Sequence, residues 1–214
     1  MGKVKIKKSD VWIDMTPMSD VMTLLLCFFM LTSTFVKQEP VKVNSPGSVS
    51  EIKVPEKSVL TILVSPEKDK AGNPTGEGQV FMSIDNTDQL GASLSTMTGA
   101  FGIELTPKMI ETFKSEGTFG VPMGDLKTYL AMNASKRPQY LQQKGIPLDS
   151  INGGMSEFQQ WVNAARQSNE DIKIALKADA STPYKTVKRV MNELQDMDES
   201  HYYMITQLKQ QGDE

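Results

Sequence analysis

The stretch that most constrains this chain runs from Met15 to Val36. It is the one long apolar run, and near its start stands a carboxylate, Asp20. Between Val21 and Val36 nothing is charged, but those 16 residues reach only about 24 Å as a helix. The hydrocarbon core of a bilayer is about 30 Å thick and takes about 20 residues. Counting 20 residues back from Val36 reaches Pro17, so a bilayer-spanning segment draws Asp20 into the membrane. An ionisable group there is costly, which makes Asp20 the leading candidate for a functional residue.

The rest of the chain is of another kind. Its 214 residues suit one membrane anchor plus one domain of moderate size. A mean hydropathy of −0.32 places most of it in water. The net charge of −3 lacks the basic field that nucleic-acid binding requires, so no nucleic-acid partner is expected. One cysteine, Cys27, and one histidine, His201, exclude an intrachain disulfide and a Cys/His metal cluster, and no metal is expected.

Lys3, Lys5, Lys7 and Lys8 crowd the start of the chain, whereas Lys37 and Lys42 beyond the run are interrupted by Glu39. This bias places a basic tail, residues 1–12, in the cytoplasm and the C-terminal part outside, with Trp12 at the interface and residues 13–36 as the transmembrane helix. A cleaved signal peptide is disfavoured. Its n-region would carry Asp10, Asp14 and Asp20, and no small-residue cleavage pattern follows the run. Thr16 and Pro17 mark the helix start, Thr16 as a cap and Pro17 as a tolerated first-turn residue. Asp20 then falls in the first turn. There the helix N-terminus favours its anion and desolvation favours its neutral acid, poising it for proton exchange. Thr23, Cys27 and Thr34 share its face, and small or hydroxyl side chains suit contact with other transmembrane helices.

Pro40, Pro46, Gly47 and Pro55 make residues 37–57 an extended linker, in which Val41 and Val43 are able to pair as an edge strand given a partner. Residues 58–209 read as an α+β domain, a small mixed sheet with helices on one face. Strands are predicted at 58–64, 79–84, 172–177 and 202–206, and a solvated loop or hairpin connection at 66–78. Short helices broken at Gly99, Pro107, Gly117, Pro122, Pro138 and Pro147 form a helical insertion at about 87–154. A better helix follows at 155–167, with Phe158, Trp161, Val162 and Ala165 inward. The alternation of Ile172, Ile174 and Leu176 predicts a half-buried strand. An amphipathic helix from Pro183 turns Tyr184, Val187, Val190, Met191, Leu194 and Met197 to the core. Residues 210–214 are a solvated tail. Asp179 reads as a turn or cap residue and His201 as a surface residue. The soluble part carries no nucleophile–base, phosphate-loop or metal spacing.

Two motifs then converge. Asp14-Met-Thr-Pro-Met-Ser-Asp20, followed by Val21, Met22 and Leu24 to Leu26, resembles the membrane segment of the ExbD/TolR family of proton-driven inner-membrane motors. Ala178-Asp179, Tyr184, Val187, Val190-Met191 and Leu194 resemble its C-terminal pattern. Val43, Asn44 and Pro46 are similar to a short post-membrane motif ending in Leu-Pro, with Ser45 in place of the Leu. The resemblance covers roughly residues 1–86 and 172–209, and the residues between depart from the family in being much longer than its usual helix-containing connection. The resemblance implies two copies of the span inside a ring of ExbB/TolQ-like channel subunits, with Asp20 as proton carrier and protons in place of any cofactor. It further implies a paired periplasmic domain that engages a TonB/TolA-like transmitter or peptidoglycan. The output implied is outer-membrane transport in the ExbD branch and envelope integrity in the TolR branch. A MotB-like flagellar stator and a tethered periplasmic scaffold without ion chemistry are the alternatives. The first should carry a peptidoglycan-binding OmpA-like domain, and the second predicts that Asp20→Asn is harmless.

Overall fold

The computed structural model describes residues 14–32, 41, 43–48, 58–68, 74–150 and 153–208. It divides into a unit of residues 1–38 and a unit of residues 39–214.

The first unit is helix α1, Thr16–Thr32. Its cap differs from expectation. The carboxylate of Asp14, not the Thr16 side chain, accepts the Thr16 backbone N–H at 2.9 Å and the Thr16 hydroxyl. Thr16 is thus already helical, and Asp20 lies just past the first turn, which holds no acid. Seventeen residues give about 26 Å of helix. Among the described residues no helix is long and apolar enough to cross a membrane. Residues 33–36 of the expected span, Thr34 included, lie outside the described residues, as do the tails 1–12 and 210–214.

The second unit is built on a five-stranded mixed sheet of order β4-β3-β2-β5-β6. Strands β2 (Val59–Lys68) and β3 (Pro74–Ile84) form an antiparallel hairpin, and β5 (Lys173–Ala178) lies parallel to β2. Strand β6 (Tyr202–Met204) runs parallel to β5, and β4 (Thr118–Phe119) pairs antiparallel with the outer edge of β3. The expected hairpin connection at 66–78 is there but shorter: pairing continues through Ser65 opposite Gln79 and Pro66 opposite Gly78. The register then shifts between Pro66 and Lys68. Proline has no N–H to give the ladder and sits at such irregularities, so its presence did not end the strand.

Period-2 registration places Leu60, Ile62, Val64, Val80, Met82, Ile84, Ile174 and Leu176 on one face, all buried. The other face is not bare. Leu63, Phe81 and Ala175 on it are buried as well, but on β5 Ala175 is flanked by exposed Lys173 and part-exposed Lys177, so β5 is half-buried as expected. Gly120 approaches this second face so closely that a Cβ there would lie 2.1 Å from the Phe81 ring.

The helices obey their local chemistry. Helix α2 (Thr87–Phe101) starts at Asn86, whose side chain accepts from Asp88 and Gln89 N–H. It passes through Gly99 and ends at Gly102, in the left-handed conformation (φ 64°), three residues later than the expected break. Helix α3 (Pro107–Glu116) begins on its proline and ends at Gly117 (φ 72°). Helices α4 (Met123–Ala131) and α5 (Arg137–Gln142) follow; Pro138 sits in the first turn of α5 and starts it rather than breaking it. Helix α6 (Glu157–Ser168) has a full capping box between Ser156 and Gln159. Helix α7 (Tyr184–Gln195) buries Val187, Val190 and Leu194, but Tyr184 is 73% exposed and does not belong to the core face.

The stretch at 87–154 is no appendage. Leu90, Leu94, Met97, Phe113, Phe119, Met123, Leu126 and Tyr129 are buried in the same cluster as the sheet residues. Trp161 of α6 stacks on Phe113 with ring centroids 6.2 Å apart, and Phe119 lies 4.5 Å from it.

Candidate functional site

Two places in the molecule gather the residues singled out by the sequence. The first is α1. None of its residues is buried, so Leu24 to Leu26, Phe28, Phe29, Met30 and Leu31 stand fully outward on every side. Such a helix satisfies its backbone internally but leaves its side chains needing apolar surroundings. Asp20 is its single carboxylate. At about 100° per residue Thr23 lies about 60° and Cys27 about 20° from the direction of Asp20 around the helix. The Thr23 hydroxyl donates to the Ser19 carbonyl at 2.8 Å and Thr32 donates likewise to Phe28, so these polar groups carry their own acceptors. Cys27 is a free thiol. Pro17 has no N–H and occupies the first turn, where none is needed.

The second place is a clasp between the linker and the domain. The expected free extended segment 37–57 is, in its described part, docked. Val41 (4% exposed), Val43 (7%) and Ser45 are buried, and both valines join the core cluster. The Asn44 N–H donates to the Asp179 carboxylate at 2.8 Å, and the Asn44 carbonyl accepts from Ala180 N–H at 2.9 Å. The Pro46 carbonyl accepts from Gln207 N–H at 3.1 Å. Strand β1 (Gly47–Ser48) then pairs in parallel with β7 (Gln207–Leu208). The partner that Val41 and Val43 were expected to require is thus the chain's own domain. Ser45, which stands where the resembled motif has Leu, is itself buried.

Asp179 does more than make a turn. One carboxylate oxygen accepts the N–H and hydroxyl of Ser181 and the other holds Asn44. It is not the α7 cap, a position taken by Pro183. The structure therefore brings two separately recognised motifs, Val43-Asn44-Ser45-Pro46 and Ala178-Asp179, into direct contact.

Sequence reasoning passed over Asp14 and Glu157. An aspartate two residues before Thr-Pro is a legible capping signal for the first. Glu157 had none, because its burial depends on the approach of α4. No three-membered His/Cys/Asp/Glu group suited to a metal occurs among the described residues.

The described residues thus hold a helix with outward apolar side chains and one carboxylate, and a mixed α+β domain that grips the segment 43–48. The chain belongs to the family of biopolymer transport proteins ExbD/TolR, whose model matches residues 7–208. It is also similar to biopolymer transport protein exbD2 of Vibrio cholerae, with 28% identity over 65 residues. That alignment covers 30% of this chain, and the chain spans about half the length (48%) of that curated relative. No solved structure matches significantly.

Proposed function

We propose that this chain is the single-span, proton-carrying subunit of an inner-membrane motor driven by the proton motive force. Its helix, extended beyond Thr32 into residues 33–36, crosses the membrane with the lysine-rich tail in the cytoplasm and the domain in the periplasm. Asp20 carries the proton. Thr23, Cys27 and Thr34 face a ring of ExbB/TolQ-like channel subunits that encloses two copies of the helix. The observation that carries the reading is Asp20 itself: the sole carboxylate on a helix whose other surfaces are Leu, Phe and Met, in a chain of the ExbD/TolR family.

The physics favours a two-state carboxyl. A charge crossing the membrane field exchanges about 2.3 kcal/mol per 100 mV, and a neutral acid passes apolar surface at far lower cost than its anion. Loading and unloading Asp20 therefore alternates the helix between a face that tolerates lipid or apolar protein and one that does not. The periplasmic domain pairs with its copy and passes the movement on through a TonB/TolA-like transmitter, or to peptidoglycan. We favour the ExbD-like output, outer-membrane transport, because the matched relative is named as a biopolymer transport protein; a TolR-like role in envelope integrity is the second branch.

Affinity purification of the full chain from its native membranes tests this reading. It should bring down a larger multi-span channel subunit, and Asp20→Asn should copurify equally well while abolishing energised transport in the cell. Normal transport with Asp20→Asn would return the chain to a tethered scaffold, and loss of an envelope barrier without loss of import would assign the TolR-like branch.

A further inference from the structure

Two carboxyl groups stand near the start of α1, and their surroundings differ. Oδ1 of Asp14 accepts the backbone N–H of Thr16 at 2.9 Å and also the hydroxyl of the same residue. The carboxyl of Asp20, by contrast, makes no hydrogen bond or ion pair among the described residues. The two are one residue apart in bonding terms. Thr16 opens the helix, and in an α-helix the Thr16 carbonyl is the acceptor for the Asp20 N–H. The turns on either side are knit in the same way. The Ser19 N–H donates to the Met15 carbonyl at 3.1 Å, and the Thr23 hydroxyl donates to the Ser19 carbonyl at 2.8 Å. Pro17 has no N–H to add. The first turn therefore depends on Asp14 for its opening bond, and the carboxyl it carries forward, on Asp20, is left unheld.

We propose that Asp14 is a positioning residue for the proton carrier: its Oδ1 fixes the first turn of α1, and through that turn the direction in which Asp20 points, while taking no part in the proton exchange. This inference rests on the reading of Asp20 as the carrier. Helix ends fray where their first N–H groups lack acceptors. Asp20 lies just past the first turn, so the loss of that one turn takes its backbone out of the helix. A carboxyl on a frayed end samples many directions, and misplacing a reacting group by about 1 Å costs rate steeply. Both bonds from Thr16 end on the same oxygen, which gives the role a chemical signature. An asparagine has that oxygen and caps helices as well as aspartate does, whereas alanine has none. The role needs an acceptor at position 14 and needs neither charge nor an exchangeable proton there.

Two measurements on the purified motor complex test the assignment, one on the helix and one on the proton. In lipid nanodiscs, Asp14→Ala should speed hydrogen exchange at the amides of Ser19, Asp20 and Val21 about fivefold, the usual effect of losing such a cap. Asp14→Asn should stay near the wild-type rates. In liposomes under an imposed potential, proton entry per assembled complex should fall by a similar factor with Asp14→Ala and be restored with Asp14→Asn. Equal loss of proton entry in both variants would make Asp14 a proton relay and overturns the proposal. Faster exchange with unchanged proton entry, or unchanged exchange in Asp14→Ala, overturns it as well. Asp20→Asn, run alongside, separates the two readings. Where it abolishes entry, a failure at Asp14 is the failure of positioning alone. Full entry with Asp20→Asn removes the carrier reading and the positioning role with it.

Discussion

The backbone N–H of Asn44 donates to the Asp179 carboxylate at 2.8 Å across 135 residues of chain. This bond fixes where the segment 43–48 meets the rest of the domain, and the Ala180 N–H to Asn44 carbonyl bond beside it closes the pair. A hydrogen bond to a charged acceptor contributes about 1.5–3 kcal/mol, toward the lower figure where water reaches it. Asp179→Ala should therefore raise exchange at residues 43–48 and at the Gln207 amide, while the strands β2 and β3 stay protected. Asp179→Asn, which keeps an acceptor oxygen, should show a smaller rise.

A pair of glycine substitutions should separate close packing from backbone freedom. Gly120→Ala drives a methyl to 2.1 Å from the Phe81 ring, in a buried place with no slack. We expect a loss of about 1–3 kcal/mol. Gly124→Ala, within α4, meets open space and removes unfolded-state freedom, for a gain of about 0.5–1 kcal/mol. Urea unfolding of both variants checks the opposite signs.

Arg166 ties α6 to the C-terminal part of the domain. Its guanidinium meets both oxygens of Glu199 and donates to the carbonyls of Glu170 and Ile172 at 2.7 and 2.8 Å. A lysine retains the charge but not the planar fork, so Arg166→Lys should lose about 1–2 kcal/mol in the same unfolding assay. Restoration of wild-type stability by lysine would show that charge alone matters there.

Glu157 sets a pH dependence whose sign is fixed. Its folded-state value, about 7, lies above its ordinary value of 4.5. Its proton therefore contributes stability fully below about pH 4.5, and that contribution is lost as pH rises through about 7. Relative to Glu157→Gln, the wild type should lose stability between pH 5 and 8. Unfolding midpoints in denaturant at the two pH values measure the difference, and parallel curves would contradict it.

Much of this was legible in the chain. The sheet strands, α6 and α7 announce themselves by period and Gly117 by its break, whereas Asn86, Gly102 and Ser156 are local caps that the sequence reading passed over. What else escaped depends on pairing over distance. Pro66 reads as a breaker until Gly78 lies opposite it. Val41 and Val43 read as a linker until Asp179 and Gln207 hold their neighbours Asn44 and Pro46. Tyr184 has the right period for the core, yet it sits at the first turn of α7, beyond the edge of what the helix covers. Asp20 was legible by itself, because a carboxylate in an apolar run needs no fold to be conspicuous.

The account rests on Asp20 as the proton carrier. The direct measurement is proton entry into liposomes holding the purified motor complex and an internal pH dye, under an imposed potassium diffusion potential. Wild-type complex should acidify the interior in proportion to the potential, and Asp20→Asn, assembled with the same subunits, should leave only the passive leak. Equal proton entry with Asp20→Asn would contradict the account.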